Sequence, residues 1–398
     1  MAYLSLFLAF ISSLPCIYID WKAKSPMFLF WLLNIPFVYI PFYFFIENRT
    51  FYESTFIEAA NFIVLCNILY FTLFLVFSKT NKKYTLDLQP TKSKDFTILV
   101  VSGVIPLILL FNGVDVQAFL ESNLTSKRDL GGWYLVLLGL SAFLFSQFIY
   151  VYKNKKKILG VIIFLIFLLI LFYFRSRSII GLFFLPLFFY ILFFNKEKRY
   201  ILFLMVPIIF IMSQFVKAVR YQGSLNNSLD AGVVGDSFSD ILAKNFTSGD
   251  LSIISVYFKT IEQCNVSLWC GEFTFFQKIL SKLYFWSFEG KTVEYNLYDY
   301  LVESGVGGSL HPTSYGYAYA DAAGWLGFIY FIVLFFSRFL IHNVLLTSKY
   351  NYLYFGFIFY FILFFSRGSV YNGFIFLILV VGLDVVLNRY KALITEKL

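Results

Sequence analysis

Apolar residues occur along this chain in long unbroken blocks, separated by short polar segments. The blocks fall at 3–19, 27–46, 56–78, 96–111, 133–151, 158–174, 179–194, 200–216, 321–337, 351–366 and 370–387. About 20 apolar residues in a helix cross the hydrocarbon layer of a bilayer. Within lipid the backbone must satisfy its own hydrogen bonds, which leaves helices or closed barrels. The blocks lack the apolar–polar alternation of barrel strands. The pattern therefore predicts an all-α integral membrane protein with eleven transmembrane helices. Three regions follow: helices one to eight in 1–216, a long loop in 217–320, and helices nine to eleven with a tail in 321–398. The first block starts at Met1-Ala2-Tyr3-Leu4 without a basic leader, and the first lysine is Lys22, so it reads as a span rather than a cleaved signal.

Composition agrees with this reading. Of the 398 residues 60% are hydrophobic and 14% charged, against roughly a quarter charged in a soluble domain. The net charge of +9 does not point to nucleic acid, because the basic residues sit in short clusters between spans. Nineteen of them fall on alternate segments, including Lys79, Lys82, Lys83, Lys92, Lys94, Lys153, Lys155, Lys156, Lys157, Arg338 and Lys349, against 13 on the other side. Cytoplasmic loops collect Lys and Arg, so the N-terminus is expected outside, the C-terminus inside, and the long loop outside.

That loop is slightly acidic, unlike the inner segments. Residues 272–288 place apolar side chains at helical spacing with lysines between, the pattern of a short amphipathic helix on a membrane surface. Four cysteines are too few for a disulfide scaffold. Cys264 and Cys270 either pair, their side being oxidising, or remain thiols; the spacing permits both. No His/Cys cluster has the spacing of a zinc site. The sequons at Asn48, Asn123, Asn226, Asn245 and Asn265 all lie on the expected outer side, and an Asn-rich chain produces them by chance.

Charge is sparse inside the spans, Glu58 and Asp384 being the main exceptions, so polar chemistry is expected at their outer ends or in the loop. Arg175, Arg177, Arg220 and Arg367 lie at predicted outer helix ends. A guanidinium is a planar, permanently charged fork of donors suited to a diphosphate; an arginine at a helix end also snorkels into the interface with no further role. His311 is the outer histidine, within Gly307-Gly308-Ser309-Leu310-His311-Pro312-Thr313-Ser314-Tyr315-Gly316. An imidazole there can accept a hydroxyl proton or simply brace the loop. Trp269, Tyr284, Trp286, Tyr315 and Tyr317 can stack on sugars or anchor at the interface.

Three features together resemble the Wzy-type O-antigen and oligosaccharide repeat-unit polymerases. They are the hairpin Phe174-Arg175-Ser176-Arg177-Ser178-Ile179-Ile180-Gly181, the long outer loop, and His311-Pro312-Thr313-Ser314-Tyr315-Gly316-Tyr317-Ala318-Tyr319 leading into Gly324-Trp325-Leu326-Gly327. The resemblance implies a fold like that of other polyprenyl-dependent transferases and a reaction at the outer face of a bacterial inner membrane. There a glycan leaves undecaprenyl diphosphate and joins a hydroxyl of a second lipid-linked repeat unit. It implies diphosphate binding by Arg175, Arg177 and Arg367, with His311 near the acceptor. Because the donor is already activated, no cofactor is required. The implied partners are the two lipid-linked oligosaccharides and membrane lipid, with a chain-length regulator and a flippase as associates. Pro312 departs from the pattern after the loop histidine of the related ligases, which favours a polymerase over a ligase. A flippase would need a charged path through the spans and has little use for so long a loop.

Overall fold

A computed structural model describes residues 1–77, 85–111, 132–174, 176–222, 253–264, 270–282, 290–291, 293, 296, 311–348 and 350–395. The described residues are helical, with no strand among them. Eight of the described helices are long and apolar enough to cross a membrane, which makes this a multi-pass membrane protein. They include α1 (Ala2–Lys22), α2 (Phe28–Glu47), α3 (Glu53–Phe77), α4 (Lys92–Phe111), α5 (Gly132–Lys153) and α6 (Lys157–Phe174). Two shorter apolar stretches fall within α7 (Arg177–Phe194) and α8 (Tyr200–Gln222). Three short helices follow: α9 (Ile254–Cys264), α10 (Thr274–Lys282) and α11 (Thr313–Asp321). The last spanning segments are α12 (Gly324–Leu345) and α14 (Val370–Thr395), with α13 (Asn351–Arg367) between them.

The helices are not uniform. In α2, Pro36 and Pro41 have no N–H to donate, and the turn Ile35–Tyr39 widens so that Ile40 N–H reaches Ile35 O. α12 opens with a tight turn, Gly324–Phe328, and closes with a widened one, Ile341–Leu345.

The chain divides into two compact units. The first comprises Met1–Lys82, Ser237–Val344 and Phe361–Ile378. In it the Met1 amine contacts the Glu53 carboxylate at 3.0 Å, so α1 and α3 start at the same end and α2 returns between them. At the opposite end, Arg338 Nε donates to Asp20 Oδ1 at 2.6 Å, so α12 runs in the same direction as α1. Both members of this pair are buried. Trp31 Nε1 and Tyr70 OH donate to the other Asp20 oxygen, each at 2.9 Å. Sequence reasoning counts Arg338 among the inner basic residues and passes over Asp20; the structure buries the two as one ion pair. A lone acid and a lone base inside apolar spans are tolerated because each neutralises the other and the remaining carboxylate lone pairs are occupied.

The second unit comprises Lys83–Asp236, Leu345–Tyr360 and Leu379–Leu398. Its Lys-rich segments gather at one end. Lys94 pairs with Asp87 at 2.8 Å and lies over the Tyr352 ring, and Lys156 pairs with Asp95. Asn154 donates to Leu88 O at 3.0 Å, and Gln147 to Tyr352 O at 2.8 Å. Asp384 accepts from Ser348 and Tyr354, so this intramembrane acid is satisfied by hydroxyls. Gly356 lies so close to α5 that a Cβ there would meet Ala142 O at 2.0 Å. This is the close backbone approach that small residues permit between membrane helices.

Candidate functional site

The part of the long loop that the structure describes is folded onto the first unit. On α9, Phe258 sits among Phe42, Phe51 and Phe56 with ring centroids 4.7, 5.2 and 5.1 Å away. Tyr257 OH donates to Ala59 O at 3.2 Å, and Thr55 to Glu262 at 3.2 Å. α9 is thereby seated on the end of the unit where α1 and α3 begin. Cys264, its last residue, forms a disulfide with Cys270. From there the chain passes back along α11, with Gly271 N–H donating to Ala320 O and Phe273 N–H to Asp321 O, both at 2.8 Å.

Asp321 is the hub of this arrangement. Its buried carboxylate accepts the amides of Thr274 at 2.8 Å and Phe275 at 3.1 Å, together with the hydroxyls of Thr274 and Tyr330. An anion at the start of α10 meets amides that have no acceptor within their own helix. Phe275 is buried against Tyr330 and Phe374. The helix expected within 272–288 is therefore present as α10. Its apolar side is met by protein at Phe275 rather than by lipid alone, because Asp321 fixes its first turn; residues 283–289 lie outside the described residues.

α11 is buried along its whole length. Tyr315 stacks on Phe331 with centroids 4.9 Å apart, and its hydroxyl donates to Asn67 Oδ1 at 3.0 Å while accepting from Asn34 at 3.3 Å. Asn67 in turn donates to Ser12 at 2.9 Å and Tyr39 at 3.4 Å. This polar chain ties α11 to α1, α2 and α3. Of the two roles open to Tyr315, sugar contact or anchor, the packing favours the anchor: its ring is fully covered and its hydroxyl is committed to protein. Tyr317 is equally buried, whereas Trp269, Tyr284 and Trp286 lie outside the described residues.

The start of α11 carries the features that point to chemistry. Thr313 has φ +65°, a left-handed conformation that a β-branched residue rarely adopts and that costs about 1–3 kcal/mol where it persists. Gly368, φ +89°, rests directly on it: a Cβ at Gly368 would lie 2.5 Å from Thr313 O and 2.7 Å from Thr313 N. Only a residue without a side chain allows this approach. Arg367 ends α13 one residue before that contact, and His311 lies two residues before Thr313. Both side chains are partly exposed. Two residues distant in sequence, both expected in the site, are thus brought to one backbone contact.

The remaining candidates are not brought there by any described contact. Arg175 lies outside the described residues. Arg177 begins α7 in the second unit, and Arg220 lies near the end of α8; the side chains of both fall outside the described residues. Sequence reasoning missed Asp321, Asn67 and Ser314. The first had a readable signal, since an acid at the edge of an apolar block requires partners. Among the described residues no three His, Cys, Asp or Glu side chains gather as metal ligands.

No protein-family model, curated protein or solved structure matches the chain. The fold itself defines an all-helical, multi-pass membrane protein whose loop helices pack on one end of a helical unit.

Proposed function

We propose that this chain is a polymerase of lipid-linked oligosaccharides, acting at the outer face of a bacterial inner membrane with undecaprenyl-diphosphate-linked repeat units as donor and acceptor. The observation that carries the reading is the seating of the Arg367-Gly368 turn on Thr313. It puts a permanent cation beside the histidine-bearing segment, at the positive end of a buried helix. That end of the first unit is also where α9 and α10 pack, and on the basic-residue asymmetry it is the outer end.

The chemistry follows from these groups. The bond between the donor's anomeric carbon and the diphosphate breaks, and the electron pair leaves with the diphosphate. The acceptor hydroxyl supplies the new glycosidic oxygen, and its proton passes to His311. Arg367 meets charge that grows as the diphosphate departs, so it favours the transition state over the ground state. Tyr315 holds α11 in place and does not touch sugar.

The test is incubation of the purified protein in nanodiscs with lipid-linked repeat units. A ladder of lengthened glycan on the lipid is expected. Transfer of single units to a lipid A core would make the chain a ligase, and movement of units across the bilayer without elongation would make it a flippase.

A further inference from the structure

Two buried polar atoms flank the contact between Thr313 and Gly368. Ser314, 1% exposed, has a hydroxyl with no hydrogen-bond partner among the described residues. Arg367 has a buried Nε that likewise lacks one. Ser314 follows Thr313, and Arg367 precedes Gly368, so each is one residue from the same close approach.

Packing does not account for the serine. A buried hydroxyl without a partner is unfavourable, and alanine would fill nearly the same volume without that penalty. The polar chain that seats α11 passes through Tyr315, Asn34 and Asn67 and does not include Ser314. Side chains of a helix lean toward its N-terminus, so Ser314, in the first turn of α11, leans toward the end where Gly368 rests. Gly316 N–H is taken by the Thr313 hydroxyl at 3.3 Å; the amides ahead of it have no backbone acceptor within the helix, and its dipole is positive at this end. A hydroxyl donor, a guanidinium N–H and a helix start all favour one kind of ligand atom, an anionic oxygen.

We propose that Ser314 is a second ligand-contacting residue of the Arg367 site, its hydroxyl donating to a phosphoryl oxygen that Arg367 Nε also binds. Naming that group as the diphosphate of the lipid-linked donor rests on the polymerase reading; the preference for a phosphoryl oxygen rests on the donors alone. The serine has a cost in the ligand-free protein that is recovered only on binding, as is common where function opposes stability.

The experiment uses the full chain in nanodiscs and geranyl diphosphate as probe, with nanodiscs of neutral lipid and of phosphatidylglycerol as parallel arms. Ser314→Ala is expected to weaken geranyl diphosphate binding about tenfold or more, the effect of losing a hydrogen bond to a charged group. Its ligand-free thermal midpoint should hold or rise. Arg367→Ala should weaken binding too, and the double variant should fall short of the product of the single effects because both donors meet one oxygen. Binding by Ser314→Ala within about twofold of wild type overturns the proposal, as does a lowered midpoint with unchanged binding per folded molecule. Abolition of probe binding by phosphatidylglycerol assigns the site to a lipid headgroup and overturns the donor assignment. A wild-type protein that binds the probe through Ser314 yet builds no polymer removes the polymerase reading and leaves the site standing.

Discussion

Replacing Arg338 by methionine should destabilise the first unit by about 3–5 kcal/mol, the usual cost of stranding one member of a buried ion pair. The magnitude follows from what Asp20 keeps. Its carboxylate has three donors: Arg338 Nε at 2.6 Å, Trp31 Nε1 at 2.9 Å and Tyr70 OH at 2.9 Å. Methionine fills much of the arginine's volume but leaves a buried anion with two neutral donors. It also removes the guanidinium from its place 4.8 Å from the Phe74 ring centroid, an attraction worth about 0.5–2 kcal/mol. Asp20→Asn should cost a similar amount by stranding the guanidinium instead. The asparagine oxygen can still accept from Trp31 and Tyr70, so the double variant leaves no buried charge and should recover much of the loss. The assay is unfolding of the nanodisc- or micelle-embedded protein, followed by Trp fluorescence and run as a double-mutant cycle. A coupling energy of about 2 kcal/mol or more is expected. Single variants within about 1 kcal/mol of wild type, with additive effects in the double, would refute the reasoning. Polymer formed per folded molecule should not change, because the pair lies at the end of the unit away from α11.

Gly368→Ala places a methyl group against Thr313 O at a positive φ, so it should cost about 1–3 kcal/mol and reduce elongation beyond the loss of folded protein, measured as turnover per mole of folded chain. Arg367→Ala should abolish elongation with membrane insertion intact, and Arg367→Lys should rescue poorly because the planar fork is lost; His311→Ala should slow turnover by about 10²–10⁴ if it takes the acceptor proton, and wild-type ladders from all three variants would discard both assignments. Reporter fusions near residues 155 and 345 should read inside and those near 125 and 260 outside; a fusion at 155 active outside would invert the topology. Lys94 holds the Asp87 carboxyl below its ordinary range through a hydrogen bond. The resulting stability is complete above the ordinary carboxylate pKa, about 3.9, and is lost as the pH falls through the lowered folded value. Unfolding midpoints taken down an acid series should therefore fall less steeply for Lys94→Ala than for wild type.

The spanning helices are legible because lipid imposes one coarse rule, long apolar blocks, and a series of blocks this long is too apolar to be left in water. What surrounds them depends on contacts between residues far apart in sequence, and no local pattern encodes those. Arg338 beside an apolar block reads as an inner basic residue, and Asp20 at the end of another block draws no reading; only the pairing of α1 with α12 shows that each exists to neutralise the other. Tyr315 reads equally well as a sugar platform or an anchor, since an aromatic ring with a hydroxyl serves both, and the choice is made by Phe331 on its face and Asn67 at its oxygen. Arg367 and His311 were readable as candidates by residue type and position. Their convergence was not, because it hangs on Gly368, one glycine among 23 in the chain. That glycine also shows why the site has the form it does. Seating one turn on the backbone of another fixes Arg367 against the start of α11 without using any polar side chain of the site. The donors at Ser314 and Arg367 are then left to a ligand, and the stability they withhold is supplied by the hydroxyl and amide bonds that hold Tyr315 and Asp321.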